Sequence, residues 1–334
     1  MVPPRAPLRF EPQVLAKPWG GGRGLRAFGV NVPESPPTGE VWLVSDVPGR
    51  ASVVSSGPFR GRTLEDLVRS EPLAMLGKVH PPGGRFPLFV KFLEVKGRLS
   101  LQVHPDAQQA SRNGDGSSGK FEAWSVLATE PGARVVIGFD RPSSPDEVRA
   151  LIAGGRLEER LNTFEPRAGD AYIISPGTVH AAWSGLVLFE VQETADVTYR
   201  LYDWGTVGLD GKPRELHVEK GLGVAKLGVP WRGRPTLPAA SPRSPGSKVR
   251  TIVGPGAGPF LYELVELERG ATYAFGGDER PWVAVAFAGA LPLEDGALRA
   301  GEAALFPAAS PRVEVRATEP TTFALATPSA GSAS

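Results

Sequence analysis

The pattern of apolar and polar positions predicts a chain built mainly from β-strands. Short runs rich in branched and aromatic residues are separated by turns, and 41 Gly and 34 Pro residues are available to form those turns. The runs occupy residues 41–47, 87–95, 98–105, 133–139, 171–176 and 186–192. Many short strands at this spacing are typical of a β-sandwich or a β-barrel. The pattern therefore predicts a mainly β fold.

Two segments carry the signals that begin a helix. Thr63 is followed three residues later by Asp66, and Ser144 is followed by Pro145 and then Glu147. A hydroxyl residue before an acidic residue at this spacing is typical of a capped helix start, and Pro is favoured at the first helical position. We expect the second helix to form an insertion at about residues 144–162 among the strands.

Residues 228–247 divide the chain into two parts. They are rich in Pro, Ser and Arg and show no apolar periodicity, which is typical of a linker. We expect residues 1–227 to form one domain and residues 248–328 a second β-rich domain. Residues 329–334 are small and predict a flexible tail.

The two parts share a faint internal similarity. Residues 169–177 and 301–309 both begin with Gly and an acidic residue, continue as an apolar strand and reach a Pro turn. The first copy continues to His180, whereas no histidine follows His217. Two barrels of one type and two unrelated strand–turn units explain the similarity equally well. In either case, only the first part can supply histidine ligands to a metal.

Charge and composition narrow the chemistry. The chain has 334 residues and a net charge of +1, so no overall positive field favours nucleic acid or an anionic membrane. The absence of Cys excludes disulfides, thiolate nucleophiles and iron–sulfur clusters, so a metal would need nitrogen and oxygen ligands. The longest apolar stretch, 282–293, is shorter than the ~20 residues of a membrane helix. We expect a cytoplasmic protein.

Candidate metal ligands follow from strand periodicity and from the scarcity of histidine. Successive side chains of a strand alternate between its faces, so one face of 99–104 carries Leu99, Leu101 and Val103, and the other carries Ser100, Gln102 and His104. Segment 119–127 likewise places Lys120, Glu122 and Trp124 on one face. His180 follows the turn at 175–178. Gln102, His104, Glu122 and His180 form a plausible mixed set for zinc or another divalent first-row metal.

The same segments resemble a known family. The matching stretches are LAKPWGGGRGL (15–25), GEVWLVSD (39–46), VVSSGPFRGRTLEDLV (53–68), FPLFVKFLEVKGRLSLQVHPD (86–106), GKFEAWSVL (119–127), GDAYIISPGTVHA (169–181), VQETADVTYRLYDWG (191–205) and PRELHVEKGL (213–222). They resemble the type I phosphomannose isomerases in their short bacterial form, a branch of the cupin superfamily. The resemblance is collinear over about 15–222 and is most specific around LQVHPD, GKFE and TVHA.

The resemblance implies a fold, a reaction and a site. The implied fold is a cupin-type jelly roll with a small helical insertion, followed by a second, degenerate cupin-like β domain. The implied reaction interconverts mannose 6-phosphate and fructose 6-phosphate, and the implied cofactor is one zinc ion per chain. The zinc ligands would be Gln102, His104, Glu122 and His180, and the substrate pocket would use Lys91, Ser100, Lys120 and Arg200. The only partner implied is a small sugar phosphate, and the oligomeric state stays open.

Catalytic roles are expected for Lys120 and Arg200. Moving a proton between C1 and C2 passes through an enediolate, whose charge must be stabilised. Lys120 is a candidate to shuttle the proton or, equally, to hold substrate oxygens electrostatically. The guanidinium of Arg200 suits phosphate or an enediolate oxygen, with a surface ion pair to Asp196 or Asp203 as the alternative. Lys91 either points into the cavity or lies at a strand edge.

Three residues depart from the family pattern. Val41 and Leu43 stand where a small polar residue and an acid are usual, and Phe121 stands where Thr is usual. None is an expected metal ligand. We therefore expect these three residues to affect the polar surroundings of the pocket and, through them, the substrate range or the rate. Two other functions stay open: a non-catalytic sugar-binding or regulatory cupin that retains the metal, and an Fe(II) dioxygenase. The single Gln-x-His pair argues against the dioxygenase.

Overall fold

A computed structural model describes residues 3–228 and 238–329. Residues 229–237 of the expected linker and 330–334 of the expected tail lie outside the described residues. We call the elements before this gap the N-terminal unit and those after it the C-terminal unit. No helix in the described ranges is long and apolar enough to cross a membrane.

In the described residues, the N-terminal unit consists of two large antiparallel sheets and one small two-stranded sheet. Its strands are β1 Gln13–Gly21, β2 Thr38–Val44, β3 Asp46–Val47, β4 Arg50–Ala51, β5 Leu88–Val95, β6 Leu101–Val103, β7 Glu122–Thr129, β8 Arg134–Phe139, β9 Leu161–Phe164, β10 Ala171–Ile174, β11 His180–Trp183, β12 Leu186–Glu193 and β13 Tyr199–Tyr202. One sheet has the order β1-β2-β5-β12-β7-β10 and the other β13-β6-β11-β8-β9. Leu93 and Trp124 of the first sheet share a hydrophobic cluster with Ile137 and Ala182 of the second. The sheets therefore pack face to face, which confirms the mainly β, jelly-roll fold class.

The C-terminal unit repeats the same kind of architecture on a smaller scale. Its strands are β14 Ser247–Val253, β15 Phe260–Leu267, β16 Thr272–Phe275, β17 Trp282–Ala288, β18 Ala290–Leu291, β19 Leu298–Arg299, β20 Ala303–Phe306, β21 Val313–Arg316 and β22 Thr321–Pro328. The main sheet has the order β14-β15-β22-β17-β20, and β16 pairs with β21.

The two similar segments occupy comparable places in their sheets. Strands β10 and β20 are both edge strands, paired antiparallel with β7 and β17. In the N-terminal unit the next strand opens with His180 opposite Gln102. In the C-terminal unit the next strand opens with Val313 opposite Phe275. The cross-strand pair at this place is therefore polar in the first unit and apolar in the second.

In the described residues, five short α-helices connect the strands. They are α1 Leu64–Ser70, α2 Pro72–Leu76, α3 Ala107–Arg112, α4 Pro145–Ala153 and α5 Val218–Val224. Thr63 Oγ1 accepts a hydrogen bond from the Asp66 N–H at 3.0 Å, and Ser144 Oγ accepts one from the Glu147 N–H at 3.1 Å. Both expected helix starts are confirmed.

The helical insertion is formed by two separate helical pieces and not by one continuous helix. Helix α4 ends at Ala153, a 3₁₀ turn covers 157–160, and β9 begins at Leu161. Gly155 has φ +64°, a left-handed conformation that ends a helix and that glycine adopts at little cost.

The two units share one hydrophobic core. Phe92 and Phe189 lie against Phe287, with ring centroids 6.0 and 4.9 Å away, and Phe121 lies 5.4 Å from Phe260. A hydrogen bond of 2.6 Å also joins the buried hydroxyls of Ser125 and Tyr262. The C-terminal unit therefore covers apolar surface that the N-terminal unit cannot bury alone.

A chain shortened to end at Gly228 is expected to aggregate. Burying each of the rings Phe92, Phe121 and Phe189 contributes about 1.5–3 kcal/mol, against about 5–15 kcal/mol for the stability of a whole domain. Size-exclusion chromatography of the shortened and the full chain tests this expectation. A monodisperse shortened chain with cooperative urea unfolding would show that the shared core is dispensable.

Candidate metal centre and substrate pocket

Three potential metal ligands converge between the two N-terminal sheets. His180 is the first residue of β11, Glu122 the first residue of β7, and His104 directly follows β6. Their ligand atoms all lie within 4.8 Å of one another, and all three residues are buried. His180 Nε2 is 3.1 Å from Glu122 Oε1, and His104 Nε2 is 3.5 Å from Glu122 Oε2.

Backbone carbonyls orient both imidazoles. His104 Nδ1 lies 2.8 Å from the carbonyl oxygen of Val197, and His180 Nδ1 lies 2.9 Å from that of Thr178. A carbonyl only accepts, so Nδ1 must carry the hydrogen and donate it in each ring. Nε2 then keeps its lone pair and faces Glu122. This is the arrangement by which a second partner orients a metal-binding histidine.

The protonation states of this cluster suit a cation. Burial and the neighbouring ammonium of Lys120 lower the pKa of His104 to about 3, which keeps its imidazole neutral. Burial raises the pKa of Glu122, but Lys120 and the two imidazoles outweigh it and hold the pKa well below its usual value. Metal ligation requires neutral imidazole and ionised carboxylate.

The buried carboxylate of Glu122 is paired with Lys120, whose Nζ lies 2.9 Å from Oε2. Neither of its oxygens accepts a hydrogen bond of normal geometry from any described residue. Buried carboxylates are ordinarily paired, hydrogen-bonded or bound to a metal. The side-chain amide of Gln102 lies beside the cluster, with its Nε2 3.1 Å from His180 Nε2. The donor set therefore fits a divalent cation.

A cavity of about 290 Å³ opens beside this cluster. The structure brings five predicted residues together in its wall, namely Lys91, Ser100, Gln102, Lys120 and Arg200. The other lining residues are Lys17, Trp19, Glu40, Leu93, Leu99, Trp124, Glu190, Asp196, Thr198 and Arg214. The wall is thus mainly polar and carries cations and carboxylates on the same surface.

Lys91 lies in the cavity and not at a strand edge. It belongs to β5, an interior strand, and its Nζ lies 3.3 Å from Glu190 Oε1 on β12, where the two residues are directly paired. Burial lowers the pKa of Lys91, but the carboxylates of Glu190 and Glu40 outweigh it, so that the net pKa is raised. Burial raises the pKa of Glu190 to about 7 despite Lys91. A charged ammonium is therefore held beside a carboxyl group that titrates near neutrality.

Arg200 keeps donors available in the cavity wall. Its Nη1 donates to the Glu215 carbonyl at 2.7 Å, whereas its buried Nε has no hydrogen-bond partner among the described residues. Asp203, one of the expected surface partners, pairs instead with Arg214 at 2.7 Å. Burial and the charge of Arg214 lower the pKa of Arg200. The guanidinium is thus oriented by one carbonyl and has no carboxylate partner among the described residues.

Sequence patterns did not identify some of the cavity residues. Glu40 and Glu190 each place a charged side chain within a largely apolar strand, and this signal could have identified them. Asp196 and Thr198 lie between strands, where no periodicity applies. Leu99 was expected on the face opposite Ser100, but both line the cavity. Regular strand structure begins only at Leu101, so the alternation does not extend back to Leu99.

Val41, Leu43 and Phe121, the three residues that depart from the family pattern, lie outside the polar wall of the pocket. Val41 and Leu43 belong to the core shared with the C-terminal unit, and neither lines the cavity. Strand alternation explains this, because Glu40 faces the cavity and its neighbours point to the opposite side. The ring of Phe121 also packs into the shared core. The three departures therefore lie in the core that the two units share.

Replacing Glu40 by glutamine is expected to make the free energy of unfolding depend less on pH in the acidic range. Burial raises the pKa of Glu40, but Lys91, Lys17 and the Trp42 indole N–H outweigh it and lower the pKa from 4.5 to about 2. Because the pKa of Glu40 is lower in the folded than in the unfolded state, its ionised carboxylate stabilises the fold by about 3 kcal/mol above pH 4.5. This contribution is lost as the pH falls towards 2. Urea unfolding of both proteins across this window measures the effect. A difference in unfolding free energy that does not shrink as the pH falls would contradict it.

Comparisons with known proteins identify similar chains. A family model described as phosphomannose isomerase type I, catalytic domain, matches residues 8–122. A mannose-6-phosphate isomerase of Streptococcus mutans is 35% identical over 229 residues, which cover 69% of this chain and 71% of the relative. Mannose-6-phosphate isomerase ManA of Bacillus subtilis is 34% identical over 221 residues, covering 66% and 68%. The crystal structure of a B. subtilis mannose 6-phosphate isomerase aligns with TM-score 0.85 and 30% identity, covering 96% of this chain and 99% of that one.

Proposed function

The chain belongs to the type I phosphomannose isomerases, and from this premise we propose that it interconverts mannose 6-phosphate and fructose 6-phosphate with one zinc ion bound per chain. The observation that carries the proposal is the buried cluster of His104, Glu122 and His180 at the wall of a polar cavity. Gln102 borders the cluster and completes a four-residue ligand set of nitrogen and oxygen donors. Such a mixed set is compatible with zinc.

The ligand set suits isomerisation without redox chemistry. Zinc held by these residues would act as a Lewis acid towards the oxygens at C1 and C2 of the sugar. The reaction moves one proton between C1 and C2 through an enediolate and a second proton between the oxygens at C1 and C2, and no atom is gained or lost overall. The protein must therefore hold the substrate oxygens, stabilise negative charge and allow both protons to move.

Cationic side chains divide these tasks along the cavity wall. Arg200 presents a planar fork of donors that matches phosphate or paired sugar oxygens. Lys91 and Ser100 are buried in the wall, at 4% and 2% exposure, and provide an ammonium and a hydroxyl. Because the chain has almost no net charge, these local groups must distinguish a phosphorylated sugar from a free one. Their number and placement support a sugar phosphate as substrate.

Lys120 lies at the junction of the metal site and the cavity. Its Nζ is 3.0 Å from His104 Nε2 and 2.9 Å from Glu122 Oε2, and the residue also lines the cavity. Two roles fit this position: carrying the proton, or holding the substrate oxygens electrostatically. Both roles require the ammonium to stay beside the ligands, and Lys120 lies only two residues before Glu122, the first residue of β7.

Metal analysis combined with a coupled isomerase assay tests the proposal. We expect about one zinc per chain, loss of mannose 6-phosphate turnover after chelation, and recovery on adding zinc. Free mannose serves as the control substrate and should turn over poorly. Full activity after complete metal removal would refute the metal role. A metal-loaded chain that binds mannose 6-phosphate without converting it would instead support the sugar-binding alternative.

A further inference from the structure

Phe121 separates the two groups on which the proposed chemistry depends. Lys120 lines the cavity and Glu122 belongs to the metal cluster, whereas the side chain of Phe121 points away into the core shared by the units. The three residues are consecutive, so a movement of the Phe121 backbone must displace Lys120 and Glu122 together. Whatever restrains the Phe121 ring therefore restrains both of its neighbours.

Glu193 at the end of β12 holds the Phe121 backbone. The Phe121 N–H donates to Glu193 Oε2 at 2.8 Å, and the Glu193 N–H donates to the Phe121 carbonyl at 3.0 Å. This double contact sets the direction of the backbone but leaves the Phe121 ring unrestrained. The restraint on the ring comes from the C-terminal unit.

The ring of Phe121 packs edge to face against Phe260 and over Gly258. Its centroid lies 5.4 Å from that of Phe260 at an interplanar angle of 82°. Gly258 leaves no spare room, because a Cβ added there would lie 2.7 Å from Phe121 Cζ. The Gly258 segment is itself fixed, since the hydroxyl of Ser329 donates to the Gly258 carbonyl at 2.9 Å. A hydrogen-bonded segment of the C-terminal unit therefore meets the ring from two sides.

We infer that the C-terminal unit positions Lys120 and Glu122 through Phe121, with Phe260 and Gly258 as the contact surface. Phe121 is thus a positioning residue for the reaction, and this role rests on the proposed function of its two neighbours. Catalytic geometry is sensitive to such restraint, because a displacement of about 1 Å can cost about a hundredfold in rate. The second unit then contributes to catalysis without contacting substrate or metal.

The substitution Gly258→Ala tests the inference, with Gly254→Ala as its matched control. Both glycines lie in the loop between β14 and β15, and neither has positive φ. The nearest heavy atom to an added Cβ at Gly254 is 3.7 Å away, which is ordinary contact. We expect Gly258→Ala to lower kcat about tenfold or more and to speed metal release to a chelator about tenfold. KM should change less than kcat, and Gly254→Ala should match the wild type.

A second substitution separates positioning from general destabilisation. Phe121→Leu removes the Cζ atom that the new methyl group would strike, so Gly258→Ala should have a much smaller effect on kcat and metal release in that background.

If Gly258→Ala does not fold, Phe260→Leu replaces it, with Phe306→Leu as control. Phe306 is buried within the C-terminal unit, 5.1 Å from the ring of Phe275.

The outcomes decide the inference independently of the proposed function. Equal kcat and metal release in the Gly258 and Gly254 variants overturn it, as does a Gly258 variant that lowers only the urea midpoint. An undiminished effect of Gly258→Ala in the Phe121→Leu background also overturns it. If the wild-type chain binds zinc but does not turn over mannose 6-phosphate, the proposed function fails, and metal release still tests the positioning role.

Discussion

Replacing His180 by alanine is expected to abolish both metal binding and isomerase activity. The imidazole is fully buried, and its Nε2 lies 3.1 Å from Glu122 Oε1. Removing it leaves too few donor atoms to bind the metal tightly. Loss of a hydrogen bond that orients a metal ligand costs about 10–100-fold in metal affinity, so loss of a ligand itself should cost more. His104→Ala should behave in the same way. Zinc content by elemental analysis and turnover of mannose 6-phosphate, measured together, check both variants.

His80→Ala is the matched control for the histidine variants. His80 lies in a separate surface depression with Pro72 and Leu76, and it does not line the cavity beside the metal cluster. We therefore expect full zinc content and near wild-type turnover. Retention of one zinc per chain and normal activity in the His180 variant would show that the metal site lies elsewhere.

Replacing Arg200 by alanine is expected to lower kcat/KM by about 10²–10³ while zinc content stays normal. Removing one donor that stabilises developing negative charge typically costs about 2.7–4 kcal/mol, and Arg200 presents such donors from the cavity wall. Arg149→Ala is the control, because the partly exposed Arg149 pairs with Glu219 away from the cavity and exposed pairs contribute about 0–1 kcal/mol. Loss of zinc from the Arg200 variant, or an unchanged kcat/KM, would mean that the substrate does not reach this side chain.

Lys120→Met separates the two roles left open for Lys120. If the ammonium carries the proton, kcat should fall while KM stays near its normal value. If it only holds substrate oxygens in the ground state, KM should rise with little change in kcat. Zinc content is measured in parallel, because Lys120 Nζ lies 2.9 Å from Glu122 Oε2. An unchanged kcat and KM would exclude both roles.

Local patterns in the sequence determined much of the candidate site. Gln102 and His104 are two residues apart, so strand alternation predicts that they share one face. The turn before His180 marks the end of an apolar run. The helix starts at Thr63 and Ser144 were also predictable, because a cap is a contact between residues three positions apart. Such features depend on neighbours in the chain, so the sequence alone carries them.

Only the tertiary structure decided which distant residues meet. Glu190 faces Lys91 because β12 pairs with β5 in one particular register, and a shift of one residue would turn both side chains to the other face. Val41 and Leu43 lie in the core shared with residues more than two hundred positions later, such as Val283 and Leu305. Strand periodicity limits which side chains share a face. Which surface that face meets depends on sheet pairing and on the packing of the two units, and these long-range contacts have no local signal in the sequence.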